Sequence, residues 1–385
     1  MRGQEVERIR TVALVSHGGA GKTTLAEAML FSAGAIDRMG KVDEGTSCLD
    51  FEPEEVRRHI TISTAFHRLR WRDCAVILVD TPGDANFLAD ARNSLVAVEG
   101  ALLLVDATSG VQVQTERVWS YLRERGIPCI GVINKLDRER ADWRDSLQQM
   151  REVLQARAVP LQLPLGQESA FRGVVDLLAE KAWVFEEGRP VEAGIPPEMA
   201  EEVAAERERL VEALAEVDDE VMEKYLEGEQ LGLEELRRTL RMGMRAQGLV
   251  PVVACSGLRL IGVQSLLDAV VEYLPSPAER PPAEGTDPKS GQPVKRACSP
   301  DEPFSAFVFK TIADPYAGRL NVLKVCSGVL GANSTVYNSS KGVREKVGQV
   351  LQLEGKAQRA VEEAVAGEIV ALAKLRETTT GDTLC

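Results

Sequence analysis

Histidine is scarce in this sequence of 385 residues, and its cysteines are not grouped. There are three histidines and seven cysteines, and no two cysteines form a Cys-x-x-Cys pair. Because zinc sites need clustered sulfur and nitrogen ligands, this pattern argues against a zinc site. Several cysteines lie in apolar runs, which favours reduced packing residues in a cytoplasmic protein over disulfides.

Long apolar runs and an excess of positive charge are also missing. No apolar run approaches the length of a membrane span, and the first residues lack the apolar centre of a signal peptide. The formal net charge is −13, whereas a general nucleic-acid binder would carry a basic face. We therefore expect no membrane partner and no sequence-specific nucleic acid. A net charge of this sign still allows a local patch to dock onto a large nucleoprotein.

A glycine-rich stretch follows an apolar run at residues 12–15. It reads Ser16-His17-Gly18-Gly19-Ala20-Gly21-Lys22-Thr23-Thr24 and opens a helical pattern. This layout is typical of a phosphate-binding loop, in which small residues let backbone N–H groups turn towards a di- or triphosphate. Lys22 would reach the β- and γ-phosphates, and the Thr23 hydroxyl would ligate Mg²⁺. The strict pattern has glycine at position 16, so an ordinary glycine-rich turn is the alternative.

A second turn, Asp80-Thr81-Pro82-Gly83-Asp84, follows a continuous apolar run at 75–79. An Asp at the end of a buried strand, downstream of a phosphate loop, suits a Walker-B-type Mg²⁺ ligand, and we assign this role to Asp80. Gly83 would let its backbone N–H approach the γ-phosphate closely. A plain Pro-Gly turn after a core strand is the alternative.

A third turn, Asn134-Lys135-Leu136-Asp137, follows the run at 129–133. An ionised Asp137 can accept hydrogen bonds from both N1–H and the exocyclic amine of guanine, whereas adenine has an acceptor at that ring position. Asn134 would brace the loop, and the aliphatic stem of Lys135 would cover the base. A charged strand-to-helix turn is the alternative, but the spacing after two phosphate-site turns favours guanine binding.

The repeated order of strand, loop and helix predicts a mostly parallel sheet with helices on both faces. Buried strands are expected at 75–79, 101–105, 129–133 and 250–254. Every motif then falls at the carboxyl end of a strand, where open α/β sheets bind ligands. The backbone of Ser256 and Gly257, after the last of these strands, would contact the base.

These segments predict two domains. We expect a nucleotide-binding domain over residues 1–280, with an inserted α+β subdomain at 159–248, because the chain between the last two turns is far longer than one crossover helix. A stretch rich in Pro, Gly and Ser predicts a linker at 281–300. Short alternating runs separated by Gly, Asn or Asp predict an antiparallel β-barrel at 301–385.

Two further segments predict a loop, a strand and a helix. Residues 40–58 are polar and predict a mobile surface loop, and residues 60–66 alternate like a strand. A charged helical stretch is expected from about 197 to 226, with an apolar stripe. That helix either presents a partner-binding face or packs on its own subdomain; the stripe consists of Val203, Leu210, Leu214, Val217 and Val221.

Together these segments resemble the elongation factor G family, the translocase of the bacterial ribosome. The matching segments run along the whole chain: 16–24, 58–63 (Arg-His-Ile-Thr-Ile-Ser), 80–83, 134–138, 159–166 (Val-Pro-Leu-Gln-Leu-Pro-Leu-Gly), 173–177, 267–277 and 378–385. The resemblance implies a P-loop GTPase domain with an insert followed by a β-barrel, GTP or GDP with Mg²⁺ as ligands, and the ribosome as partner. The family continues with three further domains, so we expect this chain to be a fragment of a monomeric protein.

The resemblance also implies roles for single residues. Thr61 would be the switch I threonine that closes on Mg²⁺ in the GTP state, Asp80 would hold Mg²⁺ through water, and Ile60 would form one wing of an apolar gate over the attacking water. The chain departs from the family at Asp84, where a water-orienting histidine is usual, and at His59, where glycine is usual. It also has Gly18-Gly19 where an apolar residue and Asp are common, so one wing of the gate is missing.

Two functions therefore stay open, because an anion at position 84 would raise the barrier to an anionic transition state unless it is protonated or turned away. The first is a ribosome-stimulated GTPase that drives a step of translation such as translocation, with Lys22, Gly83, Asp84 and Thr61 at its catalytic centre. The second is a GTP-dependent ribosome-binding switch with weak or absent hydrolysis. His59 is either a substitute for the missing histidine or an exposed loop residue.

Overall fold

The computed structural model describes residues 2–246, 248–288, 290–314 and 318–385. Its helices are α1 (Arg2–Glu7), α2 (Lys22–Ser32), α3 (Pro53–Arg58), α4 (Leu88–Ser94), α5 (Val113–Arg125), α6 (Trp143–Glu152), α7 (Ala200–Ala215), α8 (Asp219–Glu227), α9 (Leu233–Arg245) and α10 (Val263–Tyr273). The strands as far as residue 254 are β1 (Ile9–Val15), β2 (Ala65–Trp71), β3 (Cys74–Asp80), β4 (Gly100–Asp106), β5 (Cys129–Asn134), β6 (Ala158–Pro160), β7 (Gln162–Leu165), β8 (Gly173–Asp176), β9 (Lys181–Glu186), β10 (Arg189–Ala193) and β11 (Val250–Ala254).

The strands after residue 280 belong to the second half of the fold. They are β12 (Ala283–Thr286), β13 (Pro293–Arg296), β14 (Ser305–Asp314), β15 (Gly318–Ser327), β16 (Val329–Gly331), β17 (Thr335–Asn338), β18 (Val343–Lys346), β19 (Val350–Glu354), β20 (Ala357–Val361), β21 (Glu363–Val365), β22 (Ile369–Ala373) and β23 (Thr383–Leu384). No helix in the described ranges is both long and apolar enough to cross a membrane.

Seven strands form the main sheet, in the order β2-β3-β1-β4-β5-β11-β6. β2 runs antiparallel to β3, and the other neighbours are parallel. Every residue of β4, β5 and β11 is buried. Since successive side chains point to opposite faces, this means that both faces are covered. The predicted fold class and the four predicted buried strands are confirmed, and β6 adds a strand at 158–160 that pairs with β11.

The parallel register brings several turns to one edge of the sheet. Leu14 of β1 pairs with Asp80 of β3, and Asp106 of β4 pairs with Asn134 of β5. The turns after these four strands therefore lie side by side at the carboxyl edge. The candidate site is built from these turns.

The strand predicted at 60–66 is wrong over its first five residues, because β2 begins at Ala65. The backbone amides just before it are bound to side chains instead of to a neighbouring strand. Ile62 N and Ser63 N donate to Glu55 Oε1 at 2.9 and 3.0 Å, and Thr64 N donates to Asp90 Oδ2 at 2.6 Å. Carboxylates distant in sequence thus override the local alternation.

The segment at 40–58, predicted as a surface loop, contains a 3-10 turn at Val42–Glu44 and the helix α3. Its first part is tied to α2 through the fully buried Glu27. That carboxylate accepts hydrogen bonds from Gly40 N, Ser47 Oγ and Cys48 N. The polar composition of the segment therefore has two causes, hydrogen bonds to a buried carboxylate and exposure to solvent.

The inserted segment contains an antiparallel sheet in the order β10-β9-β8-β7 together with α7, α8 and α9. The single helix predicted at 197–226 is divided, because the Asp218 side chain caps a new helix by accepting from Glu220 N. Four residues of the apolar stripe are buried, and Val217 at the break is half-buried. This burial agrees with a helix that packs on its own subdomain.

The second half of the fold is a curled antiparallel sheet in the order β18-β17-β23-β14-β15-β22-β19-β20, with β16 and β21 as a separate pair. We call these strands, β14 to β23, the barrel. Strands β12 and β13 form a hairpin inside the predicted linker. The sheet has its own core, which includes Val308, Leu323 and Val370. Its other face packs on the first half, since Phe309 and Leu320 belong to the core of the main sheet.

Candidate functional site

The glycine-rich loop after β1 turns through two left-handed residues, Gly19 with φ 84° and Gly21 with φ 90°. A Cβ on Gly21 would lie 2.8 Å from Asn134 Nδ2, so glycine is required there by both backbone and space. The helix α2 starts at Lys22, and Gly21 before it offers no capping side chain. Its first amide groups are therefore available to an anion.

Lys22 lies across this loop and is buried. Its Nζ donates to Ser16 Oγ at 3.1 Å and to the His17 carbonyl at 3.0 Å. Burial, partly offset by the charge of Asp80, lowers the pKa of Lys22 to about 8. A Cβ on Gly83 would collide with Lys22 Nζ, so the turn after β3 lies directly on the ammonium group. The loop and that turn thus surround one cation.

The turn after β5 is bonded to the same loop. Asn134 Nδ2 donates to the Ala20 carbonyl at 3.0 Å, and Asn134 Oδ1 accepts from Gly257 N at 3.1 Å. Lys135 Nζ donates to the Gly19 carbonyl at 2.6 Å and to Asp106 Oδ2 at 2.7 Å. The structure therefore joins segments that lie far apart in the sequence.

Lys135 also affects the charge of its partner Asp106. Burial acts to raise the pKa of Asp106, but the hydrogen bonds from Lys135 and Thr108 outweigh it and lower that pKa. The Lys135 ammonium group is thus shared between Asp106 and the Gly19 carbonyl of the loop.

Asp137 lies half-buried beside the turn after β11. Burial and then the negative charge of Asp137 raise the pKa of the Cys255 thiol, and Leu136 N donates to the Cys255 carbonyl at 3.4 Å. In that turn Ser256 is buried, and its Oγ accepts from Arg259 N at 3.2 Å. Its neighbour Gly257 is the residue bonded to Asn134. The predicted base-binding residues thus lie together at one end of the loop.

The other end of the loop holds a cluster of oxygen atoms. Thr23 Oγ1 and Thr61 Oγ1 are 3.0 Å apart, and both residues are buried. Asp80 is fully buried, and neither of its carboxylate oxygens accepts a hydrogen bond from a described residue. Burial, followed by the charge of Asp50, raises the pKa of Asp80 to about 8.

Asp50 also belongs to this cluster, although no motif in the sequence predicts it. It is 3% exposed, and both of its carboxylate oxygens also lack a hydrogen-bond partner within the described chain. Burial raises the pKa of Asp50 to about 6, although the nearby hydroxyl group of Thr61 favours the ionised form and acts to lower that pKa. The signal in the sequence was an acid between Leu49 and Phe51 inside an otherwise polar segment.

These four residues fit a hard divalent cation. Unpaired buried carboxylates are costly, and Mg²⁺ prefers oxygen ligands from carboxylates, hydroxyls, phosphates and water. Across the ranges that the structure describes, no three His, Cys, Asp or Glu side chains gather as a metal site. A cation here would thus complete its shell with hydroxyl, phosphate or water oxygens.

The three departures from the family pattern have defined positions. Asp84 is half-exposed, and its Oδ1 accepts from Asn86 N and Nδ2, both at 2.9 Å. His59 is exposed, ends α3 with φ 55°, and has Nδ1 3.0 Å from the Val42 carbonyl. A Cβ on Gly18 would lie 3.7 Å from Asp84 N. The structure thus places Gly18 beside the Asp84 turn and His59 Nδ1 beside the Val42 carbonyl.

The remaining predicted residues lie at the back of the loop. His17 Nδ1 is 2.9 Å from Thr115 Oγ1 of α5. Burial, and then the charge of Lys22, lowers the pKa of His17 to about 4, so the ring is neutral at physiological pH. Thr24 is half-buried in the first turn of α2.

Comparison with known proteins gives two family matches and a structural match. The elongation factor Tu GTP binding domain matches residues 7–276, and elongation factor G domain 2 matches residues 303–385. A crystal structure of a protein from Thermus thermophilus is similar with a TM-score of 0.87 and 36% sequence identity. The match covers 98% of this chain and 54% of that chain, so this chain spans about half the length of the protein that it matches.

Proposed function

The chain belongs to the family of the elongation factor Tu GTP binding domain, with a second domain of the elongation factor G type, and from this premise we propose that it binds GTP and GDP with Mg²⁺ and hydrolyses GTP. We further propose that the ribosome stimulates hydrolysis and that the reaction drives a step of translation such as translocation. The observation that carries the proposal is the meeting of Lys22, Asn134 and Lys135 on one glycine-rich loop.

In the proposed complex, the backbone amides of residues 18–24 bind the phosphates. Lys22 Nζ exchanges its contacts with Ser16 and His17 for oxygens of the β- and γ-phosphates. Asp137 accepts from the guanine edge, while Asn134 and Lys135 hold the loop and cover the ring. The backbone of Ser256 and Gly257 closes the base site from the side of β11.

Mg²⁺ would supply charge neutralisation on the phosphate oxygens. The hydroxyls of Thr23 and Thr61 are its proposed direct ligands. Asp80 is proposed to hold it through water, and Asp50 joins this set because its two free oxygens lie in the same buried cluster. In the absence of the cation, the pKa of about 8 favours the protonated form of Asp80 near neutral pH, whereas Asp50, with a pKa of about 6, is mostly ionised there.

Hydrolysis needs positioning and electrostatic stabilisation of the transferred phosphoryl group. We assign the stabilisation of negative charge to Lys22 and to the backbone N–H of Gly83, and the closing of the segment over the nucleotide to Thr61. Asp84 is the exception, because a carboxylate beside the developing charge would oppose the reaction. Its bond to Asn86 keeps Oδ1 in its own turn.

The second candidate function is a GTP-dependent ribosome-binding switch that hydrolyses slowly or not at all. The nature of residue 84, an acid bonded to Asn86, is the observation that favours it. GTP turnover measured with and without ribosomes separates the two functions. Turnover that rises strongly with ribosomes supports the GTPase, and tight GTP binding without turnover supports the switch.

The proposed partner is the ribosome, reached by this chain together with the rest of the longer protein, and the proposed setting is a monomer in the cytoplasm. We propose domain limits of 1–280 for the GTP-binding domain, 159–248 for its insert, 281–300 for the linker and 301–385 for the barrel. Co-sedimentation of the full-length protein with ribosomes tests the partner. Binding with a non-hydrolysable GTP analogue and release with GDP are expected.

A further inference from the structure

One carboxylate, Asp90 of α4, connects three parts of the molecule. Its Oδ2 accepts from Thr64 N at 2.6 Å and from Thr64 Oγ1 at 2.7 Å. Lys310 Nζ, from β14 of the barrel, donates to Oδ1 at 2.6 Å and to Oδ2 at 2.7 Å. The Lys310 side chain is only 9% exposed, and that of Asp90 is 27% exposed. This is a charge-assisted pair held away from most of the solvent.

The barrel strand is shaped for this contact by an irregularity in its ladder. Val308 pairs with Leu323 and Lys310 with Val322, so Phe309 is an extra residue in β14. Consecutive side chains of a regular strand point to opposite faces, and a bulge changes this direction. Phe309 packs edge-on against Phe66, with ring centroids 5.8 Å apart, while Lys310 binds Asp90. Both neighbours therefore contact the GTPase domain.

The contacts with Asp90 and with Phe309 are made by Thr64 and Phe66, which flank the first residue of β2. That residue, Ala65, pairs with Asp80 in the sheet. Thr64 lies three residues after Thr61, whose hydroxyl faces Thr23. Ser94 Oγ of α4 also donates to Thr64 Oγ1 at 3.0 Å. The chain just after Thr61 is thus held by α4 at Thr64 and by the barrel at Phe66.

We propose that Asp90 is a positioning residue through which Lys310 of the barrel sets the affinity of the nucleotide site for GTP relative to GDP. The inference rests on the proposed function, because it uses the role of Thr61 as a ligand in the GTP state. Anchoring Thr64 holds Thr61 where it can reach the cation, and GDP does not need that contact. Loss of the anchor therefore weakens GTP binding selectively.

The test is the ratio of the dissociation constants for a non-hydrolysable GTP analogue and for GDP, measured by calorimetry with excess Mg²⁺ on the 385-residue chain. Lys310→Met should weaken binding of the analogue about tenfold, as expected for one lost charge-assisted interaction, and should change GDP binding less than about twofold. Asp90→Asn removes the negative charge of the same ion pair and should give the same selective loss of analogue binding. If Lys310→Met does not fold, Asp90→Asn provides the test.

A matched control is the double variant Lys324→Met with Glu99→Gln. It removes another buried ion pair between β15 and the GTPase domain, at 2.9 Å, without touching Thr64. The ratio of the two dissociation constants, for the GTP analogue and for GDP, should be the same in this control as in the wild type. An equal change in the control would overturn the inference, since general loosening of the two domains would then explain the effect.

A double-mutant cycle adds a second readout. Thr64→Val removes the hydroxyl that donates to Asp90 and accepts from Ser94 but keeps the backbone donor to Asp90. Its effect on the ratio should not add fully to that of Lys310→Met, because both variants weaken the contact through Asp90. Full additivity, or an unchanged ratio in Lys310→Met and Asp90→Asn, contradicts the inference. If the wild type takes up ATP as readily as GTP, the proposed function itself fails, and this outcome is separate from the behaviour of the variants.

Discussion

At the scale of single residues, base selectivity depends on Asp137. Asp137→Asn replaces an acceptor of two hydrogen bonds by an amide, and should weaken GTP binding at least about a hundredfold while improving binding of xanthosine triphosphate. Glu139→Gln, at an exposed neighbour in the same turn, should change neither affinity. Undiminished GTP affinity in Asp137→Asn would show that the base lies elsewhere.

The residue at position 84 decides the rate of hydrolysis. Asp84→His removes an anion and adds a ring that can orient water, and should raise ribosome-stimulated GTP turnover of the full-length protein by about tenfold or more. Asp84→Ala removes only the charge, so the difference between the two variants isolates the contribution of the ring. A rate in Asp84→His at or below that of the wild type contradicts the electrostatic argument.

The buried Asp80 gives a pH dependence with a definite sign. Its pKa of about 8 in the folded chain lies above the ordinary value of 3.8, so the folded state binds more protons than the unfolded state between these values. Without nucleotide and Mg²⁺, the contribution of Asp80 to the free energy of unfolding should therefore fall as pH rises from about 4 to 8.

Asp80→Asn has no such proton to lose, so at pH 8 it should be more stable than the wild type by about 1–3 kcal/mol. The difference should shrink towards pH 4 in thermal melts. Asp73→Asn, an exposed acid in the turn between β2 and β3, should follow the wild type across the range. Equal pH profiles for Asp80→Asn and the wild type would mean that Asp80 is not buried as an unpaired acid.

At the scale of secondary-structure elements, the end of α3 stores backbone strain. His59 adopts a left-handed conformation with φ 55°, which glycine accepts without a steric penalty. His59→Gly should stabilise the chain by roughly 0.5–1 kcal/mol, less the loss of the contact with Val42. Arg58→Gly, one residue earlier and inside the helix, should destabilise it by a similar amount. Chemical denaturation shows whether each substitution raises or lowers the free energy of unfolding. A loss of stability in His59→Gly would contradict the strain argument.

The elements that could be predicted from the sequence are those whose pattern is local. The runs at 75–79, 101–105, 129–133 and 250–254 are largely β-branched or apolar, and the turns after the first, third and fourth of them carry predicted site residues. Residues 60–64 could not be predicted in the same way, because their positions depend on Glu55 and Asp90, which accept hydrogen bonds from their backbone amides. Asp50 could not be predicted either, because its backbone is held by a side chain, Ser47 Oγ, which accepts from Asp50 N at 3.2 Å. The division between α7 and α8 depends on one capping carboxylate, Asp218.

At the scale of the whole molecule, the barrel is joined to the GTPase domain by ion pairs that are themselves buried. Lys324 Nζ of β15 donates to Glu99 Oε2 at 2.9 Å, to Thr11 Oγ1 at 3.2 Å and to the Gly367 carbonyl at 2.7 Å. The side chains of Lys324 and Glu99 are 8% and 3% exposed. All three ammonium hydrogens thus have an acceptor, and removal of the central carboxylate would leave a buried charge without its counter-ion.

Glu99→Leu alone should therefore cost about 3–5 kcal/mol of unfolding free energy, because it leaves Lys324 charged and desolvated. The double variant Glu99→Leu with Lys324→Met replaces both charges by apolar side chains of similar size, and should recover most of that loss. Denaturant titrations of the two variants measure the difference. If the single and the double variant are equally unstable, the two side chains contribute through packing and through Thr11 and Gly367, and the ion pair is not the connection that holds the barrel in place.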